Sequence, residues 1–258
     1  VLLQDKIAVV YGATGAVGGT TARTFAREGA HVVVTGRRRD PLDALVAEIQ
    51  QAGGRAEAAV VDALDADEVD THVGAVVAEH GRIDVSLNAT SLRGDLQGTP
   101  LRAMDPDDFL LPALTGLRSQ FHTTTAAARR MTGAGSGAIL TLSTSAAALP
   151  GRDRRFHATG GFGVACAAIE ELTRSLAGEV GPSGVRVVCL RPDALPETWG
   201  ERTEPVRAAE RFMTGGTALD RMPTLQQVAD TAAFAASDRA GAMTGAVLDL
   251  TCGSVMAR

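Results

Sequence analysis

Three hydroxyl side chains in succession, Ser143, Thr144 and Ser145, end the apolar run AILTLS (138–143). A hydroxyl so placed can orient a carbonyl, but it cannot supply a proton near neutral pH without help. The following segment, AAALPGRDRRFHATGG, carries Arg152, Asp153, Arg154, Arg155 and His157. His157 is its best general acid, because an imidazole titrates close to neutrality; a solvent-facing loop histidine is the plainer alternative. The chain has one tyrosine, Tyr11, and one lysine, Lys6, so no phenol/ammonium pair can work beside these hydroxyls. Cys166 sits among Ala and Gly on a helical stretch, with no neighbour in sequence to lower its pKa, and reads as packing.

A second chemistry lies near the N-terminus. YGATGAVGG follows an apolar run and opens a helical pattern, with Gly12, Gly15 and Gly18 spaced around Thr14, Ala16 and Val17. Glycines there permit a tight turn and let a pyrophosphate approach the amides of a helix N-terminus. The next apolar run ends in TGRRRD. An acidic residue there would bind adenosine ribose hydroxyls, whereas Arg37, with Arg38 behind it, suits a 2′-phosphate, so NADP(H) is expected over NAD(H). Solvation of a loop would also account for these arginines. Asp62 could accept from an adenine amino group, although turn aspartates are common.

These groups need a scaffold. Short β-branched runs at 6–11, 31–35, 58–62, 83–88, 138–143, 185–190 and 246–250 alternate with helical stretches near 17–28, 41–52, 68–80, 106–132, 161–180 and 225–236. That alternation predicts an α/β chain, a Rossmann-like doubly wound parallel sheet of seven strands in a single domain spanning 1–258. The irregular stretch from Pro192 to Pro223 should follow a strand's carboxyl end, and residues 193–223 are expected to form a substrate lid.

Composition narrows the function. A net charge of −5 without a basic, aromatic-laced stripe argues against nucleic acid. No apolar run approaches a membrane span and no leader pattern is evident, so a cytoplasmic location is expected. Cys166, Cys189 and Cys252 lie far apart without a CxxC or a His-rich partner, which suggests buried fillers rather than a disulfide framework or a metal site.

GATGAVG, VDALD, SLNAT, LTLSTS, LAGEVGPSGVRVVCLRP and SDRAGAMTGAVLDLTCG together, in this order and spacing, resemble the short-chain dehydrogenase/reductase family along nearly the whole chain. The resemblance implies cofactor contacts at Asp62 and Ala63, at Asn88, Ala89 and Thr90, and at Pro192, Asp193 and Leu195. It also implies a small-molecule substrate and a homodimer or homotetramer built through helices 106–132 and 161–180. In that family a Tyr protonates the substrate oxygen, a Lys lowers its pKa and a Ser polarises the carbonyl. Alignment places Thr144 at the Ser, Phe162 at the Tyr, Cys166 at the Lys and Gly116 at the supporting Asn; the enoyl-reductase spacing puts Thr159 at the Tyr instead. The expectation is an NADP(H)-dependent reductase of a carbonyl or conjugated C=C with a non-standard proton source. The alternative is a cofactor-binding homologue without redox turnover, such as a sensor, a scaffold, or a non-redox cyclase or isomerase.

Overall fold

A computed structural model describes residues 1–153 and 158–256, apart from the side chains of 152 and 153. The seven strands are β1 (Ile7–Tyr11), β2 (His31–Gly36), β3 (Arg55–Val60), β4 (Val85–Asn88), β5 (Gly137–Leu142), β6 (Val185–Pro192) and β7 (Val247–Leu250). All pair in parallel in the order β3-β2-β1-β4-β5-β6-β7. Between them run α1 (Ala16–Arg27), α2 (Arg39–Gln51), α3 (Ala66–His80), α4 (Pro106–Pro112), α5 (Arg118–Ala134), the single turn α6 (Pro150–Asp153), α7 (Gly160–Val180), α8 (Glu204–Thr214) and α9 (Leu225–Ala236).

The alternation of side chains along each strand divides the core in two. Ala8 and Val10 of β1 pack with Phe25, Leu42 and Ala232 on the α1, α2 and α9 side. Val9 and Tyr11 pack with Val73, Ala127 and Leu176 on the α3, α5 and α7 side. Burial on both faces explains why β1 and the centre of β2, Val32–Val34, read as continuous apolar runs rather than alternating. The strand order reverses between β1 and β4, which opens a crevice at their carboxyl ends.

Three local features depart from the sequence reading. β3 covers 55–60 rather than 58–62, because its register is set by β2, with His31 opposite Arg55 and Gly36 opposite Val60. As an edge strand it buries little, so its apolar content misplaces it by about three residues. The helix expected over 106–132 is interrupted at Ala113–Leu117 by π-helical geometry directly after Pro112, which has no amide to donate to the preceding turn. The expected irregular lid contains the regular helix α8. Cys166 and Cys189 are buried as expected, whereas Cys252 is only half-buried and has φ 50°.

Candidate functional site

β1 delivers the chain into Gly12, whose φ of +71° is unfavourable for any residue with a side chain. A Cβ there would stand 2.8 Å from the backbone of Ala89 and Thr90, so the turn after β4 packs directly on it. At Gly18 a Cβ would lie 2.4 Å from the Gly12 carbonyl, which keeps the first turn of α1 against the loop. No side chain caps α1 at Gly15, leaving its first amides open to an external acceptor. A cavity of about 390 Å³ lies over this turn.

The structure brings Gly12, Thr14, Gly15, Arg37, Asp62 and Ala63 to the walls of that cavity, together with Ala89 and Thr90. Ala16 and Gly18 support the loop from the side, and Val17 faces a neighbouring cavity. Arg37 and Arg38 are exposed, and neither has an acidic partner among the described residues; Arg38 precedes α2 and does not line the cavity. Asp62 accepts from the Leu64 amide at 3.0 Å, which fixes the turn it sits in. Asn88 is buried behind the wall. It donates to Thr123 Oγ1 at 2.9 Å and accepts from the Thr90 amide at 2.9 Å, so it positions Ala89 and Thr90 rather than presenting its own amide.

The three hydroxyls after β5 have different partners. Ser143 donates to Glu170 Oε1 at 2.9 Å; Glu170 also accepts from Arg191 at 3.0 Å, and Arg191 in turn pairs with Asp249 through bonds of 2.6 and 3.0 Å. Burial opposes the charge of Arg191, but Asp249 and Glu170 outweigh it and raise its pKa. Ser145 donates to Asp193 Oδ1 at 2.6 Å, and Ser254 donates to the other carboxylate oxygen. Asp193 is thus a buried carboxylate held by hydroxyls and by the Ala194 amide. Thr144 is the one hydroxyl of the three not engaged by a carboxylate; its Oγ1 lies 3.6 Å from Cys166 Sγ.

All three hydroxyls line a second cavity, of about 560 Å³, with Phe162, Pro192, Asp193 and Leu195. Its outer wall is apolar, made by Trp199 and by Val206, Ala209 and Met213 of α8. Phe162 and Cys166 belong to a small apolar cluster with Leu92, Ala146 and Ile169. Burial pushes the Cys166 thiol up to about 11, partly offset by Thr144, so it is neither a thiolate nor an acid near neutral pH. Gly116 faces the same cluster, where a Cβ would meet Leu92 Cδ2 at 2.7 Å. Thr159 is buried at the start of α7 and makes no capping bond. His157 lies outside the described residues.

Glu170, Arg191, Asp249 and Ser254 escape the sequence reading. One signal for Glu170 exists: it falls on the helical stripe of Phe162, Cys166, Ile169 and Thr173, where an acidic residue must be buried. Arg191 and Asp249 are 58 positions apart and give no comparable signal. Among the described residues no helix is long and apolar enough to cross a membrane.

The family described as enoyl-(acyl carrier protein) reductase matches residues 12–254. The chain is 31% identical to the (5R,7aS)-5-hydroxy-7a-methyl-1-oxo-2,3,5,6,7,7a-hexahydro-1H-indene-carboxyl-CoA reductase of Mycobacterium tuberculosis, over 97% of this chain and 94% of that one. It is 32% identical to an L-rhamnose 1-dehydrogenase (NAD(P)(+)) of Azotobacter vinelandii, over 96% and 95% of the two chains. The crystal structure of a dehydrogenase/reductase from Sinorhizobium meliloti 1021 superposes with a TM-score of 0.85 at 26% identity, covering 98% of this chain and 96% of that one.

Proposed function

The chain belongs to the short-chain dehydrogenase/reductase family, and on that premise we propose that it is an NADP(H)-dependent oxidoreductase reducing a carbonyl or conjugated C=C of a small molecule with a non-standard proton source. The observation that carries this reading is the pairing of two cavities at the carboxyl ends of the strands. One is walled by backbone and an uncapped helix, and the other is floored by hydroxyls beneath an apolar wall.

The residues present fit a dinucleotide. Gly12, Gly15 and Gly18 leave room that a Cβ would fill, and the amides at the start of α1 would hold the pyrophosphate. Arg37, exposed and without an acidic partner among the described residues, would hold a 2′-phosphate. Asp62 and Ala63 would flank the adenine, while Ala89 and Thr90, steadied by Asn88, would wall the ribose side. Pro192, Asp193 and Leu195 would border the reacting end. When bound, the cofactor supplies the hydride. Thr144 would orient the substrate oxygen, with Ser143 and Ser145 holding the strand end to Glu170 and Asp193. Residues 193–223, including α8, would act as the lid that excludes water from an apolar substrate. The proton would come from His157, water or the substrate's own hydroxyl.

A second reading, cofactor binding without redox turnover, is favoured by the apolar cluster at Phe162 and Cys166, which offers no proton to the floor of the cavity. Assembly as a homodimer or homotetramer is supported by exposed Leu110, Leu114, Phe121 and Val164 on the α4–α5 and α7 surface, and light scattering behind a sizing column tests it.

Titration with NADPH and NADH, followed by a panel of ketones and enones, tests the two readings. NADPH binding with cofactor oxidation that His157→Ala or Thr144→Val reduces supports the reductase. Binding without oxidation by any substrate supports the second reading, and failure to bind either dinucleotide overturns both.

A further inference from the structure

At the amino ends of the strands, remote from both cavities, β2 and β3 each place one ligating side chain toward α3. The register sets His31 opposite Arg55 and Val33 opposite Glu57, so His31 and Glu57 share the sheet face on which Val33 packs against α3. His80, the last residue of α3, comes down onto the same spot before Gly81 turns the chain away. His80 Nε2 stands 2.8 Å from Glu57 Oε1 and His31 Nε2 stands 3.8 Å from Glu57 Oε2.

We propose that His31, Glu57 and His80 bind a divalent transition-metal cation of the zinc class. The three ligand atoms lie within 4.8 Å of one another. Tetrahedral coordination at bonds of about 2.0–2.1 Å separates ligands by about 3.3 Å, so side-chain rotations of about an ångström close the site. Two imidazoles and one carboxylate are a ligand set that zinc accepts while leaving a fourth position to water. A second observation points the same way: His31 Nε2 is buried and has no hydrogen-bond partner among the described residues, a costly arrangement that a cation would relieve.

The local charges permit this. Glu57 and the nearby Glu79 supply negative charge; Arg55 opposes, but it is engaged with Asp5 at 2.7 Å. β3 is a sheet edge, and a cation here would tie that edge to β2 and to the end of α3. The site stands about 16 Å from the nucleotide turn along β2, so it is independent of the redox reading.

The test is titration of the tag-free, chelator-treated chain with Zn²⁺ by calorimetry, and with Co²⁺ by visible absorption. One equivalent should bind, with the strong visible bands of four- or five-coordinate Co²⁺. Affinity should fall at least tenfold in His31→Gln and in His80→Gln and stay unchanged in His122→Gln. Wild-type binding no tighter than in the double variant His31→Gln/His80→Gln, or absence of those Co²⁺ bands, overturns the proposal. If the variants do not fold, a Zn²⁺-soaked wild-type crystal decides. An anomalous peak among His31, Glu57 and His80 upholds the site, and peaks only elsewhere overturn it.

Discussion

The two cavities along the carboxyl edge of the sheet are built by different means. The side proposed to hold the nucleotide, called the nucleotide side below, is made largely of backbone: a left-handed Gly12, a close approach at Gly18 and an uncapped helix, all within one strand-turn-helix segment. The hydroxyl side is made of side chains joined across the chain, Ser143 to Glu170, Arg191 to Asp249, Ser145 to Asp193 and Asp193 to Ser254, at separations of 27, 58, 48 and 61 positions. Backbone recognition tolerates few residue types but asks little of the rest of the protein. A buried charge network asks the whole fold to be in place, and each member depends on the others.

The most severe way to break the hydroxyl side is Glu170→Ala, which leaves Arg191 with one partner instead of two. Loss of one member of a buried pair costs about 3–5 kcal/mol, and denaturant unfolding should show a loss of about 4 kcal/mol. Nucleotide affinity of the folded fraction should change less than twofold. If affinity collapses as well, the two sides are one cooperative unit.

Acid should strain the nucleotide side. His72 of α3 packs edge-on to Tyr11, just before the glycine turn, and burial lowers its pKa from 6.5 to about 4. The unfolded chain takes up this proton below pH 6.5 and the folded one only near 4, so stability falls as pH drops through that window. The loss is about 3 kcal/mol at most. Equilibrium unfolding across that range should show a slope that His72→Leu flattens; an unchanged slope would assign the acid sensitivity elsewhere.

Gly12→Ala adds a Cβ at a left-handed φ and against Ala89 and Thr90. A cost of about 2 kcal/mol is expected from the backbone strain alone, with dinucleotide affinity at least tenfold weaker. Arg37→Ala should be the mildest: no fold effect, and a loss of about 1.4 kcal/mol, or tenfold, in NADPH affinity. NADH affinity should stay constant. Equal weakening of both would remove the 2′-phosphate reading.

The same difference governs what the sequence made legible. The seven parallel strands and the tight glycine turn after β1 could be read because periodicity and glycine spacing are local. The edge strand β3 slipped because its boundaries come from pairing with β2, and α8 was missed because Pro205 and its charged residues hide the apolar face that includes Val206, Ala209 and Met213. Thr144 was named from its neighbours in sequence and Asp193 from the family resemblance, but Glu170, the partner of Ser143, was not. Arg191 and Asp249 meet only after two strands have joined the sheet.

The apolar cluster around Leu92, Phe162 and Cys166 also decides which substitutions the chain can accept. A phenol at 162 would bring a hydroxyl into a space now matched to hydrocarbon, an amine at 166 would bury a charge beside Ile169, and any side chain at 116 would overlap Leu92. Each change is unfavourable while the other two positions stay as they are. Polar substitutions at these positions are therefore coupled, whereas exchange among apolar residues of similar volume is tolerated one at a time. The cluster acts as a filter on variation: it leaves the lid and the surface loops free to change while holding this wall of the cavity to hydrocarbon.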